Sequence, residues 1–241
     1  MFDNLTSTNE YALSLLSKSK PIEGTVISAR FQTAGKGQIG SSWQVEADKN
    51  LTLSVILYPN FLPVAQQFYL SQAVALAVAD FIQIFIAANL VKIKWPNDVY
   101  IGNKKTAGIL IQNTISGSNL QTSVIGLGIN INQLVFPATL PNPTSIGLET
   151  GKADYPLDEV STALCACLES RYLQLKAQQW QRLSTDYLSK LYRIGEQHLF
   201  KRADNRLFEG EIVGTSISGQ LKIATPLGIE TFNMKEVTFA N

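Results

Sequence analysis

Residues 51–79 contain no charge at all. A stretch of that size is either shielded from water on every side or placed in a membrane. Pro59, Asn60, Pro63, Gln66, Gln67 and Gln72 interrupt it, and its longest apolar run covers only residues 73–79. A spanning helix needs roughly 20 predominantly apolar residues. The stretch is therefore expected to fold as a strand, a turn and a heavily buried helix. The N-terminus, MFDNLTSTNEYALSLL, is acidic and polar where a signal peptide is basic and then apolar, so the expected location is the cytoplasm, with no membrane partner.

Such a core needs a globular chain around it. The 241 residues are 45% hydrophobic and 16% charged, too apolar and too evenly charged for disorder. At roughly 100–200 residues per domain, the length suits a main domain with a short appendage. Twenty Lys and Arg against nineteen Asp and Glu leave a formal charge of +1, which argues against a dedicated nucleic-acid binder with a broad basic face. Cys165 and Cys167 stand two apart in a helical segment and point to different faces, so no disulfide joins them. A single histidine, His198, removes most zinc sites and Ser-His-Asp schemes.

Apolar periodicity predicts helices over residues 9–19, 64–88, 157–175 and 179–192, and strands over 24–31, 51–57, 91–95, 99–101, 106–114 and 121–129. Ile101-Gly102-Asn103 and Ser116-Gly117-Ser118-Asn119 suit hairpins. Strands joined so tightly pair antiparallel, which points to an α+β domain with a mixed sheet. Residues 137–143 form a Pro/Asn-rich connector. Beyond residue 192, short strands over 206–213, 220–224 and 229–233 suggest a small appended β-barrel.

Four segments carry polar chemistry. The run from Gln32 through Gly35-Lys36-Gly37-Gln38-Ile39-Gly40 to Trp43 follows a strand with three glycines and a lysine. Its amides and ammonium could wrap an anion, or it could be an ordinary surface loop; neither phosphate-loop fingerprint is present. Lys94-Trp95-Pro96-Asn97-Asp98, then Lys104-Lys105-Thr106-Ala107-Gly108, sets lysines and one carboxylate at neighbouring strand ends. Lysines there could neutralise phosphate while Asp98 holds Mg2+ or accepts a proton; a plain turn is the alternative. Lys104 and Lys105 should face opposite sides of a strand, so one of them enters a site. Gly126-Leu127-Gly128-Ile129-Asn130 marks close approach of a ligand or backbone, or a bulge. Ser7-Thr8-Asn9-Glu10 is an S-x-x-E capping box, compatible with ligand contact through Thr8 or Asn9.

In chain order, STNEYA, QTAGKGQIGSSW, KWPNDVYIGNKKTAGIL, GLGININ and PTSIGLETG, with the β-rich tail, resemble the biotin–protein ligase (biotin–acetyl-CoA-carboxylase ligase) family over nearly the whole chain. The resemblance implies a class II synthetase-like domain with a mixed, largely antiparallel sheet over residues 1–192. A small SH3-like β-barrel would follow over 193–241. It implies an enzyme that joins biotin to ATP as biotinyl-5′-AMP, then passes biotin to a lysine of the biotin carboxyl carrier protein. Ser7, Thr8, Asn9 and Gln32 would then hydrogen-bond the ureido end of biotin. Gly35, Lys36, Gly37 and Gln38 would close over biotin and the adenylate, with Trp43 packing the ligand side of that loop. Lys105, spaced from Gly108 as in the family, would approach the biotin carboxylate and the α-phosphate. Lys94, Asn97, Asp98 and Asn130 would face the nucleotide and Mg2+, and Asp98 would accept the proton of the carrier lysine.

Two departures qualify the resemblance. Family loops typically read GRGRRGR-x-W, whereas Lys36, Gln38, Ile39 and Ser41 stand at the arginine positions here. Three positive charges and the bidentate guanidinium fork are gone, so looser retention of the adenylate is expected. Some members carry an N-terminal helix-turn-helix domain; here STNE begins at residue 7, so a ligase without DNA binding, monomeric or homodimeric, is expected. The rival readings are a lipoate or octanoate ligase or transferase, whose Arg-Arg-x-Ser-Gly-Gly-Gly stretch is absent, and a catalytically weakened biotin-binding relative.

Overall fold

The computed structural model describes residues 1–38 and 40–240. Seven strands, β1 (Phe2–Leu5), β2 (Thr25–Gln32), β3 (Asn50–Leu57), β4 (Val91–Lys94), β5 (Asp98–Ile101), β6 (Lys104–Ser116) and β7 (Asn119–Asn130), form one sheet in the order β1-β2-β3-β7-β6-β5-β4. Only β1–β2 is parallel; the other neighbours are antiparallel. Gly102 (φ 57°) and Gly117 (φ 61°) turn the β5–β6 and β6–β7 hairpins expected from the sequence, because glycine enters the left-handed region without steric cost.

The uncharged stretch supplies the centre of this sheet and its cover. All eight residues of β3 are buried, as are twelve of the fifteen in α2 (Phe68–Ile82). Leu53, Val55 and Leu57 pack into the main core with α2, α4 (Leu157–Lys176) and α5 (Trp180–Ser189). Ile56 turns the other way, onto Ala12 of α1 (Thr8–Leu16). A strand buried on both faces has no use for charge, and each Leu, Ile or Val it buries contributes about 1.5–3 kcal/mol.

The second sheet, β8 (Gln197–Arg202), β9 (Leu207–Thr215), β10 (Leu221–Thr225), β11 (Gly228–Phe232) and β12 (Val237–Phe239), runs β11-β10-β9-β8-β12 and is antiparallel throughout. It is the small antiparallel unit expected of an SH3-like tail. Residues 190–195 join the sheets: Ile93 N–H donates to Lys190 O, Tyr192 N–H to Ile93 O, and Gly195 N–H to Ile212 O. The β4 edge is thereby covered.

Several boundaries differ from expectation. The helix expected over 64–88 is a short 3-10 turn at Val64–Gln66, then α2, with a second turn at Ala88–Leu90. The helix expected over 179–192 stops at Ser189, since the next residues pair with β4. Strands β1, β8 and β12 and the short α3 (Ile146–Thr150) were not anticipated. Both cysteines are free, and burial pushes both thiol pKa values up. No helix among the described residues is long and apolar enough to cross a membrane.

Where the uncharged stretch ends, Asp80 meets a largely buried guanidinium. Arg171 of α4 donates to Asp80 and to Asp186 of α5, each at 2.6 Å, and Lys190 lies 4.0 Å from Asp80. This cluster ties the three helices together. Removing the central cation strands Asp186 and leaves Asp80 only the more distant Lys190, so Arg171→Ala is expected to destabilise the fold by about 3 kcal/mol. Urea unfolding checks this; a midpoint equal to that of the parent would refute it.

Candidate active site

One cavity of about 170 Å3 gathers residues from six separate segments. Ser7, Thr8 and Asn9 come from the start of α1 and Gln32 from the end of β2; Lys36, Gly37, Gln38 and Trp43 come from the glycine loop. Asn97 and Asp98 lie at the β4–β5 corner, Lys105 and Gly108 on β6, and Gly126 and Gly128 on β7. As it stands the space is smaller than the roughly 300–1,000 Å3 of a typical ligand pocket, because the Trp43 indole rests inside it. Ile39, one of the loop's arginine-replacing positions, lies outside the described residues.

The floor is backbone. Gly108 and Gly128 are paired across β6 and β7, and a Cβ on Gly128 would stand closer than 3.0 Å to the Trp43 ring. A Cβ on Gly126 would strike the Asn9 amide just as closely. Close approach, one of the two readings of these glycines, is therefore what the strand shows. Trp43 Nε1 is buried without a hydrogen-bond partner among the described residues, and Lys105 Nζ sits over its ring, 5.7 Å from the centroid.

At one end the wall is polar and uncharged. Ser7 occupies the N-cap of α1, but its hydroxyl makes no cap bond. Glu10, the other half of the expected capping box, turns away and pairs with Lys36; the hydrogen bond from that ammonium holds its carboxyl below the usual carboxylate pKa range. Gln32 Oε1 instead accepts from Thr8 N–H at 2.7 Å and Thr8 Oγ1 at 3.1 Å. Asn9 Nδ2 donates to Gln112 Oε1 at 2.9 Å. Beneath them Ser54 Oγ, on β3, lies 2.8 Å from Thr8 Oγ1 and 2.5 Å from Asn9 Oδ1. Neither Ser54 nor Gln112 was singled out in the sequence. The usable signal was Ser54 itself, a hydroxyl inside a buried, uncharged strand, which demands polar partners.

At the other end Lys105 Nζ meets Asp98 Oδ1 at 2.7 Å. The lysine owes its aim to a β-bulge. Tyr100 pairs with Lys105 but Val99 pairs with Ala107, so Thr106 is the extra residue. In an unbroken strand, residues 105 and 108 face opposite ways; with the bulge, Lys105 Cε lies 3.6 Å from where a Cβ on Gly108 would be. Lys104 points elsewhere, to Glu149 at 3.1 Å, as strand alternation required. The connector clamps the Lys105 main chain, with Lys105 N–H on Asn142 O (2.7 Å) and Thr144 N–H on Lys105 O (2.9 Å).

Not every expected residue reaches the cavity. Asn130 is buried and donates to Thr144 O at 2.9 Å, holding the connector rather than lining the site. Lys94 donates to Tyr100 Oη at 3.0 Å and lies over the Tyr100 and Phe239 rings at the junction with the second sheet. Burial, helped by the Asp98 carboxylate, pushes the Tyr100 phenol up to about 12, so it stays protonated. His198 and Arg193 bond each other outside the cavity. Arg202 is spent on Glu230 and Arg206 on Asp204.

As for a metal, no group of three or more His, Cys, Asp or Glu side chains able to hold an ion occurs among the described residues. A lone carboxylate such as Asp98 fits Mg2+ only when the nucleotide supplies most of the oxygens, the usual arrangement for that ion.

A sequence profile of the biotin/lipoate A/B protein ligase family matches residues 1–130. The chain is 31% identical to the biotin–[acetyl-CoA-carboxylase] ligase of Paracoccus denitrificans over 248 residues, covering 99% of both chains. It is also 31% identical to the bifunctional ligase/repressor BirA of Bacillus subtilis, over 95% of this chain and 70% of that one. The solved biotin protein ligase from Aquifex aeolicus in complex with biotin and ATP superposes with a TM-score of 0.80 at 26% identity, covering 100% of this chain and 97% of that one. The chain belongs to the biotin/lipoate A/B protein ligase family. Two of these three, the Paracoccus denitrificans and Aquifex aeolicus proteins, are by their names ligases for biotin rather than lipoate.

The glycine floor has a direct consequence. A methyl group at Gly128 leaves no room for the indole, so Gly128→Ala should expel Trp43 towards water. Red-shifted tryptophan emission with easier acrylamide quenching is the expected result; an unchanged spectrum would contradict this placement.

Proposed function

We propose that the chain activates biotin with ATP and transfers it to a lysine of a biotin carboxyl carrier domain in the cytoplasm, through biotinyl-5′-AMP. The observation that carries this reading is the two-ended cavity: uncharged hydrogen-bonding groups at one end, a lysine and a carboxylate at the other, and the glycine loop alongside. An uncharged polar wall suits a ureido ring; a lipoyl dithiolane has neither the carbonyl nor the N–H groups to use it.

In the first step a carboxylate oxygen of biotin bonds to the α-phosphorus of ATP and pyrophosphate leaves. Two unit negative charges about 4 Å apart repel by about 4 kcal/mol at an effective dielectric of 20. The Lys105 ammonium offsets this, moving from Asp98 towards the incoming oxygens. Asp98 would help the nucleotide phosphates hold Mg2+, which would supply further positive charge during this first step. In the second step the carrier lysine attacks the acyl carbonyl, AMP departs, and Asp98 takes the ammonium proton of that lysine. Thr8, Asn9 and Gln32 hold the ureido ring, the Gly35–Gln38 segment covers the adenylate, and Trp43 packs against it. Asn97 Nδ2 donates to Ile109 O at 3.1 Å, setting the corner that carries Asp98. Lys94 and Asn130 act from behind the site, through Tyr100 and the connector.

Incubation with biotin, ATP, Mg2+ and a purified carrier domain, read by avidin blot, should label the carrier. Lys105→Ala should lower the rate at least about 100-fold, as loss of a charge-stabilising donor does; near-parent labelling would overturn the assignment. The loop supplies a separate measurement. Gln38→Arg restores a guanidinium, and biotinyl-5′-AMP should dissociate more slowly from that variant than from the parent; equal off-rates would show that the missing cations do not govern retention.

A further inference from the structure

Ser54 is fully buried and does not line the cavity, yet it touches both residues that begin α1 there. A serine hydroxyl has one hydrogen to give. At 2.5 Å from Asn9 Oδ1, a carbonyl oxygen that can only accept, that hydrogen belongs to Asn9. The Asn9 amide is thereby fixed with Oδ1 on Ser54 and Nδ2 on Gln112 Oε1. The Thr8 hydroxyl, left to donate, turns to Gln32 Oε1 or to Ser54 Oγ. Gln32 Oε1 already takes the Thr8 backbone N–H, so the Gln32 Nε2 donors face the base of the glycine loop, near Gly35. Ser54 thus fixes the Asn9 amide directly and the Gln112 oxygen through it, while the Thr8 backbone N–H fixes Gln32.

Resting on the biotin-ligase reading, we infer that Ser54 is a specificity-determining positioning residue: it holds the polar end of the cavity as a donor surface, matched to a ligand that presents a carbonyl oxygen. Without the hydroxyl, the Asn9 amide is free to rotate about its last bond, the Gln112 amide can follow, and the wall loses its single polarity. The loss falls on recognition of the ring and not on the Lys105 chemistry at the far end.

The probe is 2-iminobiotin, which carries N–H donors where biotin has its ureido oxygen. Titration calorimetry without ATP reads affinity for both compounds, and pyrophosphate release reads adenylation. Wild type should prefer biotin strongly. Ser54→Ala should shrink that preference about tenfold and raise the KM for biotin by a similar factor, with kcat within twofold of wild type. Ser54→Thr, which keeps the hydroxyl, should restore the preference. Gln112→Leu, at the half-buried end of the chain, should reproduce the loss and serves if Ser54→Ala folds poorly. Equal weakening towards both compounds would reduce Ser54 to a structural role and overturn the inference, as would an unchanged preference in both variants. Wild-type protein that binds no biotin would sink the ligase reading and this one with it.

Discussion

The floor of the site works only because three strand positions carry no side chain. At Gly126 and Gly128 a single methyl group would overlap Asn9 and Trp43, and at Gly108 it would press on the same indole. Strand interiors disfavour glycine by roughly 0.5–1 kcal/mol relative to alanine, so the floor is expensive locally. The opposite face of the same strands offsets it. Ile125, Leu127 and Ile129 of β7 and Ala107 and Ile109 of β6 are buried against the helices. The two strands also pair along almost their whole length, from Ala107–Ile129 to Ser116–Asn119. One face of the hairpin supplies stability so that the other can be left bare for a ring system to lie on.

The cavity meets its anionic ligands with cations that already have partners. Lys105 is held by Asp98 and Lys36 by Glu10, so binding exchanges one ion pair for another instead of filling an open positive well. Before the ligand arrives, this arrangement leaves no uncompensated ammonium in a partly buried site, where stranding one member of a pair costs several kcal/mol. It also releases Asp98 when Lys105 turns to the phosphate, and a freed carboxylate is what the second half of the proposed reaction needs as a base.

Local chemistry was legible in the sequence, and remote pairing was not. The two hairpin turns, the buried strand and helix of the uncharged stretch, and the opposite aims of Lys104 and Lys105 follow from glycine, charge and strand alternation alone. The α3 helix had its own signals: Ser145 caps it through Leu148 N–H and Gly151 ends it at φ 73°. Strand β1 had none, because four residues paired in parallel with β2 acquire their meaning only from a partner more than twenty positions away. The same limit explains Asn130 and Lys94. Motif resemblance implies a place at the nucleotide; their hydrogen-bond partners within the protein, Thr144 and Tyr100, depend on how the connector and the second sheet fold back. The capping box failed for a related reason: the loop delivers Lys36 to Glu10 and takes the carboxylate from the helix terminus.

Rigidity is distributed unevenly around the site, and the unevenness has a chemical logic. Lys105 is fixed by a bulge, by connector hydrogen bonds on both sides of its peptide unit, and through Thr144 by the buried Asn130 amide. Preorganised charge lowers a barrier because no reorientation is required at the moment of reaction. The loop opposite is held mostly by its own backbone: Gly37 N–H on Ser41 O, Ser41 N–H on Gln38 O and Trp43 N–H on Gly35 O. A loop so built, with glutamine and serine where arginines are usual, can open around a ligand but has little charge with which to grip phosphate. On the proposed reading, retention of the intermediate then rests on the fixed half of the cavity, the glycine floor and the Lys105 ammonium at its end.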